Sequence, residues 1–305
     1  MQPPFPSPVP TWHNDTYPAI DPAKPELSHE GRTVVITGAG SGIGRATALA
    51  YARASASHIA LLGRTETTLQ ETASLISATA EPKTKPKVSV FPCSVTDDAA
   101  IRNVAKEVGS WDVLVLNAAY LSTPVKVADV DVDEFWKAFE TNVKALVIAS
   151  QAFLPLARPG AAVLTVGAAG CIFPPAWAGL ASYMSSKVAQ AKLVEYLAAE
   201  NPEVLFVSVH PGVVDTGMLR RAELTSLPND AVELPAHFLV WVSAAGAKGG
   251  QKNWLGGRFV WCNWGVGELV ERREEIRRSD LFTIGLAGWP FEKSGWNVKD
   301  GVEGL

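Results

Sequence analysis

Tyr183 and Lys187 lie four residues apart in Tyr183-Met184-Ser185-Ser186-Lys187, near the start of a helical pattern, so both fall on one helix face. A phenol holds its proton to about pH 10, too high for acid–base work near neutrality. A neighbouring ammonium favours the phenolate and draws that value toward the working range. A tyrosine with a lysine one turn on is a common accident of sequence, so the pair gains meaning only from its surroundings.

Those surroundings include Thr37-Gly38-Ala39-Gly40-Ser41-Gly42-Ile43-Gly44, set between a β-branched run at 33–36 and a helical stretch. Glycine permits the positive φ of a tight turn and lets backbone approach a pyrophosphate with no Cβ between. A helix starting near Ile43 aims its free N–H groups and positive dipole end at phosphates. The spacing is G-x-x-x-G-x-G rather than G-x-G-x-x-G. An ordinary glycine-rich loop is the competing explanation, and the position after the first strand of an alternating pattern argues against it. The expectation is a nicotinamide dinucleotide held between Gly38 and Gly44. The second strand ends at Leu62-Gly63-Arg64, where an NAD enzyme usually places a carboxylate for the ribose 2′-hydroxyl. Here Gly63 leaves room and the planar cation of Arg64 suits a 2′-phosphate, so NADP(H) is expected over NAD(H). The alternative is a solvated loop arginine. Arg45, one turn into the helix, either assists or lies on the solvated face.

The elements that must hold these residues alternate along the chain. Strands are expected at 33–36, 59–62, 88–92, 113–116, 162–166, 205–209 and 258–261, with helices between most of them. The helices cover 45–54, a segment capped by Thr65, about 97–108, 135–153 and 182–199. Such alternation implies right-handed βαβ units, hence an α/β fold with a Rossmann-type, doubly wound parallel sheet of about seven strands, helices on both faces. Residues 1–30 read as a proline-rich extended arm pinned by Trp12 and Tyr17, residues 31–265 as one domain, and 266–305 as a C-terminal helix and tail.

Composition agrees. Hydrophobic residues form 47% of the 305 and charged ones 19%, enough for a sizeable core. A formal net charge of -4 gives no support for nucleic-acid binding. The three cysteines, Cys93, Cys171 and Cys262, form no CxxC pair, so neither a metal site nor a disulfide framework is expected. The proline-rich start lacks the apolar run of a secretory signal and no stretch reaches membrane-span length, so the expected location is cytoplasmic.

Taken together, these residues resemble the short-chain dehydrogenase/reductase family over about 33–261. Gly38, Gly42 and Gly44 match its glycine motif, and Leu116-Asn117-Ala118-Ala119 is similar to its Asn-Asn-Ala-Gly strand end beside the adenosine. The resemblance implies that Asn142 holds a water in a proton relay, that Tyr183 is the acid/base, and that Lys187 binds the nicotinamide ribose and lowers the tyrosine pKa. It also implies that Pro211-Gly212-Val213-Val214-Asp215-Thr216 borders the nicotinamide, with Val214 against the ring and Thr216 on its carboxamide or a phosphate. Ser94 and Val95 fall beside the adenine. A homodimer or homotetramer, built on the helices of Asn142 and Tyr183, is implied by resemblance only. The arm 12–17 and the strand 259–261 resemble fungal members associated with secondary metabolism.

The departures matter as much. The family's catalytic serine aligns with Ala168 along the strand, or with Gly170 counted back from Tyr183, and no hydroxyl occurs between Val166 and Leu180. Three readings stay open: hydride transfer with Tyr183 as sole proton donor, non-redox chemistry such as dehydration, epimerisation or cyclisation, and cofactor binding without catalysis. Cys171 is a weak stand-in, since a thiol is a poor donor. Ser94 stands where aspartate is common, and Leu116 replaces an asparagine.

The loop 172–180, with Tyr120, Trp177 and Met218, suggests a hydrophobic small-molecule substrate, plain packing being the alternative. The segment 219–235 reads as a polar loop replacing the next crossover, a lid over substrate. The apolar tail 281–291 would cover the cleft or join an interface. His210 reads as a structural histidine, and Arg220-Arg221 and the run 272–278 as solvated charge.

Overall fold

The β-branched run Thr33–Thr37 forms β1, every residue of it buried. A strand covered on both faces needs no polar alternation, which is the signature of a central parallel strand. In the computed structural model, which describes residues 3, 7–79, 85–173, 177–221, 229–244 and 253–285, β1 is followed by α1 (Gly42–Arg53), β2 (His58–Gly63), α2 (Glu66–Thr79) and β3 (Lys87–Pro92). The second half runs α3 (Asp98–Val108), β4 (Trp111–Leu116), α4 (Val132–Phe139), α5 (Ala145–Phe153), β5 (Ala157–Val166), α6 (Ala181–Glu200) and β6 (Leu205–His210). After it come α7 (Gly217–Arg221), α8 (Glu233–Ala244), β7 (Arg258–Trp261), α9 (Val266–Glu271) and α10 (Arg273–Arg277).

The seven strands lie in the order β3-β2-β1-β4-β5-β6-β7, with every neighbouring pair parallel. The expected doubly wound sheet is therefore present. Its order reverses between β1 and β4, and the crevice beyond their C-terminal ends is where such sheets take ligands. Alternate strand residues feed two cores. Val34, Ile36, Leu61 and Val207 pack with α1, α2 and α8 on one face, and Val35, Leu62, Leu114 and Phe206 pack with α3, α5 and α6 on the other.

Three expectations change. The segment after β6 is no mere loop: α8 runs from Glu233, and each residue from Leu234 to Ala244 is buried. Pro235 suggests a break, yet it sits in the first helical turn, where its missing N–H has no partner to lose. Residues 222–228 of the expected lid lie outside the described residues. The single helix expected at 135–153 is α4 and α5 joined by a π-helical turn, Glu140–Lys144, with Asn142 buried at its centre. The arm is not wholly extended, since 3-10 turns occupy Pro18–Ile20 and Pro25–Leu27. Trp12 is buried and edge-on to Trp261, and the Tyr17 hydroxyl donates to Trp264 O.

In the tail, Leu281, Phe282 and Ile284 pack on the core that holds β7, with Phe259 N donating to Phe282 O and Ile284 N to Glu195 on α6. The rest of that apolar stretch, including Trp289, lies outside the described residues. No helix among the described residues is long and apolar enough to cross a membrane.

Candidate functional site

The glycine turn is braced from both sides. Gly38 has φ +67, and a Cβ built on Gly44 would meet Gly38 O at 2.2 Å, so only glycines let α1 start this close beneath the strand end. From β4, Asn117 Nδ2 donates to Thr37 O and Gly38 O at 3.0 and 3.2 Å, while Thr37 Oγ1 accepts from the amides of Asn117 and Ala118. From α2, Thr72 Oγ1 donates to Ala39 O. Arg45 is not simply solvated, its side chain being 28% exposed. Its guanidinium donates to Gly40 O at 2.6 Å and to Glu71 at 2.8 Å, which makes it a clamp on the turn. Ser41 and Gly42 form the exposed tip, with Ile43 half-buried behind them, and the Ser41 side chain makes no capping bond to the first amides of α1.

Around this turn lie the other dinucleotide candidates. Arg64 is exposed and makes no ion pair among the described residues. A Cβ on Gly63 would also crowd Leu69 of α2 at 3.2 Å. Ser94 is bonded to Thr96 Oγ1 at 2.8 Å in the turn after β3, and Val95 is half-buried beside it. Ala118 and Ala119 are half-buried just past β4. Beyond β6, Pro211 and Gly212 turn the chain, Val214 is buried, and Thr216 reaches the glycine turn, its Cγ2 3.2 Å from a Cβ built on Gly42. The turn expected to hold the phosphates and the segment expected to border the nicotinamide thus meet.

The candidate acid–base pair stands near the start of α6. Lys187 is almost fully buried, and its Nζ donates to Val166 O at 2.7 Å and to Gln190 Oε1 at 3.0 Å. It lies 5.8 Å from the Tyr183 ring centroid. Burial lowers the Lys187 pKa to about 8. Burial also pushes the Tyr183 hydroxyl up, opposite to the depression expected from a lysine beside it. The lysine ammonium points at Val166 O and Gln190 instead of the phenol, so it gives the phenolate little support in this geometry.

Asn142 does more than hold one group. Its side chain accepts from Tyr120 N and donates to Tyr120 O and to Ser186 Oγ. Its backbone carbonyl, within the π turn, accepts from Gln190 Nε2 at 2.8 Å. Gln190 thereby links Asn142 to Lys187, a residue that sequence reasoning missed. The available signal was a buried amide one turn beyond Lys187 on a helix face otherwise lined by Ala191 and Val194. Asp230, also missed, lies within the segment read as polar loop, and no local pattern marks it.

Ala168, one of the two positions aligned with the missing hydroxyl, is extended (φ -147, ψ 117) and half-buried. A side chain on Gly170 would meet Met184 Cε at 2.7 Å. Cys171 lies close enough to both Lys187 and Tyr183 for its thiolate to act on each, and burial drives its own pKa up to about 11, so the sulfur stays a thiol. His210 accepts from Ala169 N through Nδ1 at 3.1 Å and packs edge-on against Trp261, and burial lowers its pKa to about 3. It is a neutral brace between β6 and the turn after β5.

On the substrate side, Leu121 and Leu180 form a small apolar cluster with Tyr183, Met184 and Met218. Trp177 is 36% exposed, and Phe173 packs against Trp261. The Tyr120 hydroxyl is instead bonded to Glu134. Arg220 pairs with Asp215 at the surface. Among the described residues no cluster of metal-ligating side chains occurs.

A family model described as short chain dehydrogenase matches residues 32–226. Short chain dehydrogenase mpl6 of Monascus purpureus and short chain dehydrogenase citE of Monascus ruber are each 33% identical over 293 residues, covering 90% of this chain and 96% of the relative. Among solved structures, a chain assigned as an NAD(P) dependent gluconate 5-dehydrogenase from Beutenbergia cavernae, with NADP bound at low occupancy, superimposes with a TM-score of 0.65 at 26% identity. That superposition covers 78% of this chain and 97% of the other.

Proposed function

The chain belongs to the short chain dehydrogenase family of oxidoreductases, and from that premise we propose that it uses NADP(H) to interconvert a carbonyl and an alcohol on a hydrophobic small molecule. The observation that carries the proposal is the gathering of the glycine turn, Thr216 and the Tyr183–Lys187 pair at one end of the parallel strands. The crowded contact of Gly44 with Gly38 O and the free first amides of α1 suit a pyrophosphate, and exposed Arg64 suits a 2′-phosphate. Gly38, Gly40, Ser41, Gly42, Ile43 and Gly44 would hold the phosphates. Ser94, Val95, Asn117, Ala118 and Ala119 would border the adenosine, and Pro211, Gly212, Val214 and Thr216 the nicotinamide end. When bound, the nicotinamide supplies or accepts the hydride.

The chain's own residues handle the proton. In reduction, the Tyr183 hydroxyl donates its proton to the substrate oxygen, and in oxidation the phenolate takes one back. Raised by burial, the Tyr183 pKa makes the proton-donating form the resting one. Lys187, protonated below about pH 8, would supply the positive charge that lets the proton leave on swinging from Val166 O toward the ribose and the phenol. Asn142 and Gln190 hold Lys187 in register from below. With no hydroxyl at Ala168, the substrate is held by fit against Leu121, Leu180 and Met218.

That missing hydroxyl favours one further reading, in which Tyr183 and Lys187 act on a dehydration, epimerisation or cyclisation with no net redox change. NADPH absorbance, followed with a panel of apolar ketones, separates the two. Oxidation that Tyr183→Phe slows at least about 100-fold supports the reductase. Turnover without nicotinamide oxidation sinks it. Family resemblance supports a homodimer or homotetramer, and the scattered cysteines fit a reducing, cytoplasmic location.

A further inference from the structure

We infer that the N-terminal arm is a working part of the cofactor site, acting through Asn14 and Asp230 to fix the turn at 211–214. The inference rests on the proposed placement of the nicotinamide end beside that turn. Asp230 is buried, and both its carboxylate oxygens are committed. Its Oδ2 accepts from Val213 N at 2.7 Å, and its Oδ1 accepts from Asn14 Nδ2 at 2.6 Å and Asn263 Nδ2 at 3.1 Å. The backbones are tied as well, with Asp230 N donating to Val213 O at 2.6 Å and Ala231 N to Asn14 O at 2.8 Å.

Gly212 adopts φ +74, and a Cβ there would lie 2.3 Å from Asp230 Oδ2, so the turn is shaped around this carboxylate. The arm amide and the turn amide thus bind different oxygens of one carboxylate. Bonds between a carboxylate and N–H donors are short and directional, and a carboxylate that loses one donor is freer to pivot. When Asn14 is lost, the turn bearing Val213 and Val214 gains freedom, while the glycine turn, braced separately by Asn117 and Arg45, keeps its shape. Asn14 and Asp230 are therefore positioning residues for one end of the cofactor only.

The test compares two ligands on the full-length chain and on Asn14→Ala and Asp230→Asn. One ligand is whichever of NADPH or NADH the wild type binds. The other is the matching adenosine half, adenosine 2′,5′-bisphosphate or AMP. We expect dinucleotide affinity to fall at least about fivefold in both variants with the adenosine half held within about twofold. Equal losses for both ligands, or no loss for either, overturn the inference. Asn14→Ala sits in the arm, so it serves as the test if Asp230→Asn fails to fold. A wild type that binds neither dinucleotide sinks the parent reading instead, and the inference with it.

Discussion

Gln190 accepts a hydrogen bond from Lys187 at 3.0 Å and with its other atom holds the carbonyl of Asn142 at 2.8 Å, so one amide joins the lysine to the π turn. The lysine is buried, and a buried ammonium without acceptors would lose its proton readily. Val166 O and Gln190 Oε1 keep it charged.

Replacing Gln190 by Leu should therefore lower the Lys187 pKa below its value of about 8 and move the alkaline limb of the activity profile to lower pH. It should also strip a donor from Asn142 O, at a stability cost of about 1–3 kcal/mol. Steady-state rates across pH, with thermal melts alongside, check both. An alkaline limb that stays in place would separate Gln190 from the lysine.

Lys187 sets a second pH dependence. Its folded pKa of about 8 lies below the ordinary lysine value of about 10.4, so above pH 8 the unfolded chain binds more protons than the folded one. Its contribution to stability must then rise with pH. Cysteines raised by burial begin to oppose it near the ordinary thiol range. The urea midpoint of the wild type minus that of Lys187→Met should thus increase from about pH 7.5 to pH 9. A flat difference would refute the depressed lysine.

Arg64→Ala tests the phosphate assignment. An exposed guanidinium facing a 2′-phosphate is worth about tenfold or more in affinity, and nothing toward a 2′-hydroxyl. NADPH should weaken by that factor while NADH changes less than about twofold. Equal loss of both would show that Arg64 does not read the ribose.

Gly44→Ala tests the turn itself. The added methyl carbon would stand 2.2 Å from Gly38 O and 2.6 Å from Asn117 Nδ2, which are bonded to each other at 3.2 Å. Either the helix start shifts or the turn opens, with a stability loss of about 1–3 kcal/mol. Binding of the adenosine half should fall with it. An unchanged melting temperature and unchanged affinity would mean that α1 has slack the geometry denies.

The sheet was readable because parallel strands covered on both faces are short apolar runs punctuated by turn residues, as at 33–36 and 205–209. The glycine turn and the Tyr183–Lys187 pair were readable because each is local. What stayed hidden was long-range or misleading in type. The helix α8 lacks a polar stripe because it is buried all round, and Pro235 reads as a stop although the first turn tolerates it. Asp230 and Asn14 are bonded across 216 positions, so neither carries a neighbour that betrays it. Arg45 looks like surface charge until Gly40 O and Glu71 are found beside it.

The arm also imposes an order on biosynthesis. The bonds that tie residues 11–17 to the body span from 216 positions, at Asn14–Asp230, to 257, at Thr11–Glu268. The ribosome makes the arm well before its docking surface, which emerges more than 200 residues later at about 5–20 residues per second. The first half of the sheet can assemble while the arm waits undocked. Completion of the turn at 211–214 is then a late event, and a nascent chain that stops short of Asp230 would carry the glycine turn without the carboxylate that latches the turn at 211–214.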